Sequence, residues 1–303
     1  MKRKMQPVVA LVDMREYEER SLEHAVSLIG GIDDLNTPER TAAVKVGAYS
    51  ANGPQHTSVS VLGQIIQALN RTHKVYIVES DSYQGKGSDK LQIWKQLYSE
   101  RVVPFNLSDD TDTRTVNVNN PIREVSVSLS HILFKPNVFV CTHILRSCEK
   151  GSILKNLFGL PPTPKKGQYH KNEIFCNLLA DMYCAIGGID LAVLDGTYLH
   201  HKTTDMTEPV GLLIVGRNAV AVETVGATLA GLKPEKMVTI QEFERRGLGS
   251  SRINDIEIVG ASFEDMLERC QLANRKLKAA ANAKASQQIP ERTAIGDERL
   301  DPR

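Results

Sequence analysis

The sequence predicts an α/β protein whose mostly parallel sheet carries helices on both faces, in the Rossmann-like arrangement of three layers. Two observations predict this fold class. Short runs rich in valine, isoleucine and leucine alternate along the chain with longer amphipathic stretches, and no linker or internal repeat interrupts the alternation. Strands that alternate with helices in this way form a largely parallel sheet.

Five strands and three helices are predicted in the first half of the chain. The helices are the segments in which apolar residues recur on one face, at residues 16–28, 58–69 and 89–99. The strands are the short apolar runs at residues 7–13, 41–47, 74–80, 102–107 and 113–118.

The second half repeats the same alternation. Pro234 is well placed to start a helix that ends near Gly247. The predicted strands are residues 137–143, 189–196, 211–216 and 255–260. The other predicted helices are residues 153–158, 171–186, 218–230 and 262–278.

The domain organisation follows from where this periodicity stops. Residues 1–279 are predicted to form a single α/β domain, or two intertwined lobes. Residues 280–303 are rich in alanine, glutamine and charged side chains and have no apolar periodicity, so we expect a disordered tail there.

The charge balance disfavours whole classes of partner. The chain has 37 Lys and Arg against 36 Asp and Glu. A near-neutral protein is not expected to bind nucleic acid or an anionic membrane through its overall field, so an electrostatic function has to be local. We therefore expect a small anionic molecule as the main partner, and the sequence leaves an oligomer or a protein partner open.

The N-terminal segment and the cysteines bear on the compartment. An apolar run from Pro7 to Val12 follows the basic start and is ended by Asp13, so the run is too short for a signal peptide. No other stretch reaches the ~18 apolar residues that a membrane helix needs. The five cysteines are an odd number in a chain of this size, which disfavours a disulfide framework. A cytoplasmic protein with free thiols, or with metal-ligating ones, is expected.

Ligands of open α/β sheets bind at the carboxyl ends of the strands. Polar or glycine-rich residues stand at five predicted strand ends, although polar loops are also common without any function. These ends are Lys45 with the loop 47–57, residues 79–81, residues 141–143, Asp195 with Gly196, and residues 216–218.

One of these strand ends leads into a basic loop. Six basic residues and a single acid, Glu149, lie between His143 and Lys171. Ser152 is expected to cap a short helix there, and the free N–H groups of a helix start attract phosphate or carboxylate. The alternative is a solvated basic loop. The six basic residues are Arg146, Lys150, Lys155, Lys165, Lys166 and Lys171.

The same loop offers possible metal ligands. Cys141, His143 and Cys148 form a C-x-H-x4-C pattern, but the chain has no CxxC pair, and cysteine is also a common small core residue. The pair His200–His201 lies in a predicted loop, where paired histidines are more often solvated than catalytic.

An ordered set of segments resembles the domain-of-unknown-function family 362. "VFVCTH" followed by "GSILKNLFGLPP" is similar to the family's buried strand with a Lys-Thr-His step and a Lys-Asn-x-x-Gly segment. The resemblance covers roughly residues 40–260. Its other segments are "AVKVG", "VYIVESDS", "LAVLDGTYLHH", "IVGRNAVAVETVGATLAG" and "RRGLGSS".

The resemblance implies a cluster of polar residues at the strand ends. This sequence also departs from the family pattern at some positions. Cys141 stands where the family has a lysine, and Asn218 where it has an aspartate. Many relatives carry a ferredoxin-like cysteine cluster that this chain lacks, so an iron–sulfur cofactor is not implied and the cofactor stays unknown. The implied cluster consists of Lys45, Glu79, His143, Lys155, Asn156, Asp195, Asn218 and Glu223.

Three functional hypotheses follow. In the first, the protein is an enzyme acting on a small carboxylate or phosphate, with His143 as acid–base group, oriented by Asp195 or Glu79. The second is a non-catalytic binding or assembly protein that has lost the family's activity, and the third is a Cys/His metal-binding protein. The ligand-binding residues of the first hypothesis are Lys45, Arg146, Lys155, Asn156, Asn218 and Glu223.

Overall fold

The computed structural model describes residues 6–119, 124–202 and 205–287, without the side chains of residues 172–173 and 283–287. An eight-stranded sheet organises this part of the chain. Its strands lie in the order β10-β1-β9-β8-β7-β2-β3-β4, and β5 and β6 form a separate antiparallel pair. The strands are β1 (Val8–Asp13), β2 (Thr41–Lys45), β3 (Lys74–Glu79), β4 (Val102–Asn106), β5 (Thr113–Val118), β6 (Val125–Ser130), β7 (Val138–Ser147), β8 (Leu191–His201), β9 (Met206–Gly216) and β10 (Glu257–Gly260).

The helices pack on both faces of this sheet, and short 3-10 turns separate several of them. They are α1 (Met14–Tyr17), α2 (Ser21–Leu28), α3 (Val59–Ala68), α4 (Gly87–Leu91), α5 (Ile153–Asn156), α6 (Asn172–Ala185), α7 (Ala219–Leu229), α8 (Val238–Arg245) and α9 (Phe263–Gln287).

Two hydrophobic cores, one on each face, hold the three layers together. Val9 and Leu11 of β1 belong to one core, and the alternate residues Ala10 and Val12 belong to the other. The first core also takes side chains from α5 to α9, and the second from α2 and α3. The predicted fold class, a mostly parallel sheet with helices on both faces, is confirmed.

One strand departs from the predicted direction. β9 pairs antiparallel with both β1 and β8, whereas the other neighbouring strands of the sheet are parallel. β8 and β9 are also longer than predicted, and their pairing extends from Ala192–Gly216 to His201–Met206. As a result, Arg217 and Asn218 follow β9 at the opposite edge of the sheet from the carboxyl ends of the parallel strands.

Other boundaries differ for local reasons. The predicted helix 16–28 is broken at Glu18, whose φ of 44° is not helical, and the predicted helix 89–99 continues beyond α4 as a 3-10 segment kinked at Trp94. Strand β6, with its alternating exposed and buried residues, was not predicted. Helix α9 continues past residue 278 to Gln287, and the predicted tail beyond it lies outside the described residues.

No helix in the described ranges is long and apolar enough to cross a membrane.

Candidate functional site

The carboxyl ends of β2, β3 and β7 border a cleft of about 560 Å³. Its lining is strongly basic: the described residues contribute seven lysine or arginine side chains but only two carboxylates, Glu79 and Asp205. The excess is local, because the whole chain is almost neutral. The basic residues are Lys45, Lys90, Arg146, Lys150, Lys155, Lys166 and Lys202.

The inner end of the cleft is built around a buried lysine at the end of β2. Lys45 is 1% exposed, and its Nζ donates to Glu79 Oε2 at 3.1 Å, to Asn156 Oδ1 at 2.9 Å and to the Val46 carbonyl at 2.7 Å. An ammonium group has three donors, so all of them are used within the protein. Lys45 therefore supplies charge to the cleft but no free hydrogen-bond donor.

Asn156 ties this lysine to the neighbouring strand. Its Nδ2 donates to the Thr142 carbonyl of β7 at 2.9 Å, while its Oδ1 accepts from Lys45. Gly159 leaves the space that the lysine needs, because a Cβ atom at this position would lie 2.7 Å from Lys45 Cε. Two residues of the segment "LKNLFG", Asn156 and Gly159, are thus fitted to Lys45.

His143 lies on β7 and lines the cleft while being only 5% exposed. Its Nδ1 lies 3.3 Å from the Ile144 carbonyl, and since a carbonyl can only accept, Nδ1 carries the proton. Within the described residues Nε2 makes no hydrogen bond, so its lone pair is available. A Cβ atom on Gly47 would lie 2.5 Å from the ring, so this glycine is needed for close packing.

The environment of His143 decides its charge. Burial, followed by the positive charges of Arg146, Lys45 and Lys155, holds the pKa of the imidazole well below its usual range. The imidazole is therefore neutral near pH 7, the form in which Nε2 can accept a proton, and the low pKa makes it a weak base while the neighbouring positive charges are not offset.

Arg146 and Lys155 line the cleft, and the charges of both act on Cys148. Arg146 is 7% exposed and donates from Nη2 to the Gly151 carbonyl at 3.0 Å, while its buried Nε finds no partner among the described residues. Burial and the charge of Arg146 lower the pKa of Lys155 to about 8. Neither cation forms an ion pair within the described residues, so both charges remain available to a ligand.

The start of helix α5 is not free, contrary to expectation. Ser152 makes no side-chain capping bond. Instead Glu223 of α7 reaches this helix start, and its carboxylate accepts from the backbone N–H groups of Ser152 at 2.7 Å and Leu154 at 2.8 Å. The protein's own carboxylate therefore occupies the helix start that was predicted to hold the ligand's anionic group.

Two further lysines close the side of the cleft beside β3. Lys166 Nζ donates to the Asp81 carbonyl at 2.8 Å and also to Ser80, and Lys90 Nζ donates to Ser82 Oγ at 2.8 Å. Burial, together with the nearby charges of Lys45 and Lys90 and against the opposing charge of Glu79, lowers the pKa of Lys166 to about 7. Lys166 therefore changes charge close to neutral pH.

The outer rim combines aromatic and polar groups. The hydroxyl groups of Tyr49 and Tyr83 hydrogen-bond to each other. On the other side, Asp205 Oδ1 accepts from Gln55 Nε2 at 2.6 Å and lies 2.8 Å from His200 Nε2. The rim thus links the loop after β2 to the paired strands β8 and β9.

Six of the nine predicted site residues come together at this cleft. Asp195 does not, since it is fully buried and accepts from the backbone of Ser58, at the start of α3, and from Thr197. Neither Asp195 nor Glu79 hydrogen-bonds to His143. Asn218 caps α7 at the opposite edge of the sheet. Glu223 lies behind the cleft wall, and the six residues that line the cleft are Lys45, Glu79, His143, Arg146, Lys155 and Asn156.

Four of the six basic residues of the predicted basic loop line the cleft, namely Arg146, Lys150, Lys155 and Lys166. Two other lining residues, Lys90 and His200, are not predicted by the sequence analysis. Lys90 was overlooked because it lies in a predicted amphipathic helix. His200 was placed in a solvated loop, whereas it is 1% exposed, lies in β8 and lines the cleft. The unforeseen length of β8 is the reason, since it carries His200 inward.

The cysteine pattern does not converge on a metal geometry. No group of three or more His, Cys, Asp or Glu side chains in the described ranges could hold a metal ion. Cys141 is fully buried, and burial raises the pKa of its thiol to about 12, so it is protonated at neutral pH. It behaves as a core residue.

Comparisons with known proteins identify a family but give no activity. A family model described as "Domain of unknown function (DUF362)" matches residues 43–228, more than half of the 303 residues. No curated protein matches. Among solved structures, the lactate racemase apoprotein from Thermoanaerobacterium thermosaccharolyticum is similar with 10% sequence identity and a TM-score of 0.44. The similarity covers 75% of this chain and 57% of that chain, a little more than half of its length.

The buried Lys45–Glu79 pair yields a stability prediction. Glu79→Gln leaves a charged lysine in a site that is 1% exposed, and such a loss costs about 3–5 kcal/mol. Urea denaturation should therefore show a much lower midpoint for this variant. The double variant Lys45→Met, Glu79→Gln should lose less stability than Glu79→Gln alone, since no unpaired charge remains.

The control is an exposed pair. Arg20 and Glu23 have side chains that are 78% and 68% exposed, so Glu23→Gln should leave the midpoint unchanged. Equal midpoints for Glu79→Gln and Glu23→Gln would show that the buried pair does not hold the strand ends together.

Proposed function

The chain belongs to the family described as domain of unknown function 362, a description that assigns no activity, and we propose that it binds a small carboxylate or phosphate in the basic cleft and uses His143 as a general base. The observation that carries the proposal is the unpaired positive charge of the lining. Seven cationic side chains face two carboxylates, on a chain whose overall charge is +1.

The burial of some of these cations supports an anionic ligand. Charged side chains are rarely buried without a partner, because removal from water costs several kcal/mol per ion. Arg146 and Lys166 are only 7% and 6% exposed, and neither is in an ion pair among the described residues. An anion in the cleft would compensate these charges, which supports an anionic ligand over a neutral one.

The position of His143 supports a proton transfer next to the bound anion. Its neutral ring is oriented by the Ile144 carbonyl, with Nε2 left as acceptor. Negative charge that develops on the substrate as the proton leaves would be stabilised by nearby cations in a water-poor site. Arg146 and Lys155 line the cleft with His143, and the charges of both contribute, as does that of Lys45, to the lowered pKa of His143.

The second interpretation is a binding protein without catalysis. Cys141 and Asn218 stand in place of a lysine and an aspartate that the family resemblance implies, and both have structural roles here. Cys141 packs in the core, and Asn218 caps α7. Both interpretations need the cleft and its cations, and only the catalytic one needs the free Nε2 of His143.

Calorimetric titration with inorganic phosphate tests the binding. Lys155→Met removes an unpaired cation and should raise the Kd about tenfold or more, the effect of ~1.4 kcal/mol. Lys95→Met, on an exposed residue outside the cleft, should leave the Kd unchanged. Equal phosphate affinity for these two variants would contradict the proposed site.

The pH dependence of sulfate binding follows from two pKa values. Lys166, with a pKa of about 7, and Lys155, with a pKa of about 8, are charged below these values and neutral above them. Sulfate keeps its charge throughout, so its Kd should rise about tenfold or more per lost cation contact between pH 6.5 and 9. The double variant Lys155→Met, Lys166→Met should show a much weaker pH dependence, and a flat profile for the unmodified protein would contradict the assignment.

Catalysis is tested separately with His143→Gln. Turnover of a panel of phosphate monoesters and small carboxylates can be followed by NMR, and loss of a general base should reduce any turnover about 100-fold or more. Phosphate affinity, measured by calorimetry, should stay within about threefold, since the side chain carries no charge. Binding without turnover in the unmodified protein would favour the second interpretation, and a large loss of phosphate affinity in His143→Gln would assign the histidine to binding.

A further inference from the structure

Cys148 lines the cleft close to two cations, Arg146 and Lys155. It follows β7, lines the cleft, and has Lys155 Nζ 3.8 Å from its Sγ. A tight turn fixes its backbone, because Cys148 N donates to the Arg146 carbonyl at 3.0 Å and Gly151 N donates to the Cys148 carbonyl at 2.8 Å. The thiol is thereby held beside the cations that we assign to anion binding.

The charges around this sulfur favour its ionised form. Burial opposes ionisation, but Arg146, Lys155 and Lys202, with a hydrogen bond from the Lys150 backbone, outweigh it and lower the pKa of Cys148. A cysteine beside lysine or arginine is more reactive because these charges favour the thiolate. Cys148 is only 1% exposed, and the cleft that it lines is its route of access.

In three of the other four cysteines the pKa shifts in the opposite direction. Burial raises the pKa of Cys141 and Cys270 to about 12, and it also raises that of the exposed Cys184. Cys148 therefore differs from all three in the direction of its shift. The sequence pattern alone does not distinguish it from them.

A second observation points to an anion at the same place. Arg146 is 93% buried by area, lines the cleft, and keeps a buried Nε without a partner in the described part of the chain. Its Nη2 donates to a carbonyl, and the buried Glu223 acts on its charge without forming an ion pair in the described residues. The cleft thus places a nucleophilic sulfur next to two cations that form no ion pair with a carboxylate in the described residues.

We propose that Cys148 attacks, in its thiolate form, electrophilic anions bound by Arg146 and Lys155, so that the cleft accepts small carboxylates or phosphates that carry an electrophilic carbon. This inference rests on the proposed anion-binding function and names the substrate class of that site. It adds a covalent step that His143 alone does not provide.

Iodoacetate is a minimal probe of this step. The sulfur lone pair of the thiolate forms a new bond to the methylene carbon, the carbon–iodine bond breaks, and iodide leaves with the electron pair. No proton is transferred and no oxidant or reductant is needed. The carboxylate of the probe occupies the place of the ligand's anionic group, whereas iodoacetamide has the same electrophilic carbon without the charge.

The experiment compares the two probes on the full chain at pH 7, with the extent of labelling of each cysteine followed by peptide mass spectrometry. At Cys148 iodoacetate should react about tenfold or more faster than iodoacetamide, because the cations concentrate an anionic reagent. At Cys184, which is exposed, iodoacetate should have no such advantage. Sulfate should slow the labelling of Cys148 and leave that of Cys184 unchanged.

Matched variants assign the effect. Lys155→Met should reduce the preference of Cys148 for iodoacetate about tenfold, and the exposed Lys95→Met should not. Cys148→Ser should remove the fast iodoacetate reaction, and Cys184→Ser should retain it. No preference for iodoacetate at Cys148, or no protection by sulfate, would overturn the proposal.

Calorimetry with sulfate on the same samples separates the two failures. If sulfate binds and Lys155→Met weakens its binding, but Cys148 shows no preference for iodoacetate, the covalent step is wrong and the binding function stands. If sulfate does not bind at all, the proposed function itself is wrong, and the substrate class inferred from it is wrong as well.

Discussion

The buried contact between Lys45 and Glu79 is the interaction on which the candidate site depends. It joins the ends of two parallel strands, and Asn156 extends it to β7 and to the short helix α5. Because a buried ammonium group needs partners at fixed positions, the network places the basic segment after β7 directly over the sheet edge. The cleft then forms around a charged centre that is already satisfied, and the unpaired cations lie around it.

The cleft divides its cations into two kinds. Lys45 and Lys90 use their donors on protein groups at the sheet edge, and Lys45 is ion-paired with Glu79. Within the described residues, Arg146 keeps a buried Nε without a partner, and Lys155 contacts the thiol of Cys148 at 3.8 Å. The first kind shapes the site, and the second can recognise an anion. This division explains why a basic lining on its own does not identify the ligand-contacting residues, since the hydrogen bonds of each lysine decide its role.

Much of the fold could be predicted from the sequence, but only part of the site. Apolar runs such as "AAVKV" and "VFVCTH" indicate buried strands from the local sequence alone. The rule that ligands bind at strand ends selected Lys45, Glu79 and His143, which line the same cleft. Strand direction is different, because a residue pattern does not encode it. The reversal of β9 moved Asn218 to the far edge, and the length of β8 brought His200 to the cleft. The partner of the α5 helix start was also invisible, since Glu223 lies 71 residues away from Ser152.

Glu223 occupies the start of α5, which determines the groups that remain to attract an anion to the cleft. Backbone N–H groups keep their partial charge at every pH, and here an internal carboxylate already uses them. The cleft is left with lysines that gain and lose protons near neutrality. Anion uptake of the kind proposed for this cleft would therefore be linked to proton uptake, and the occupancy of the cleft would depend on the proton concentration around the molecule.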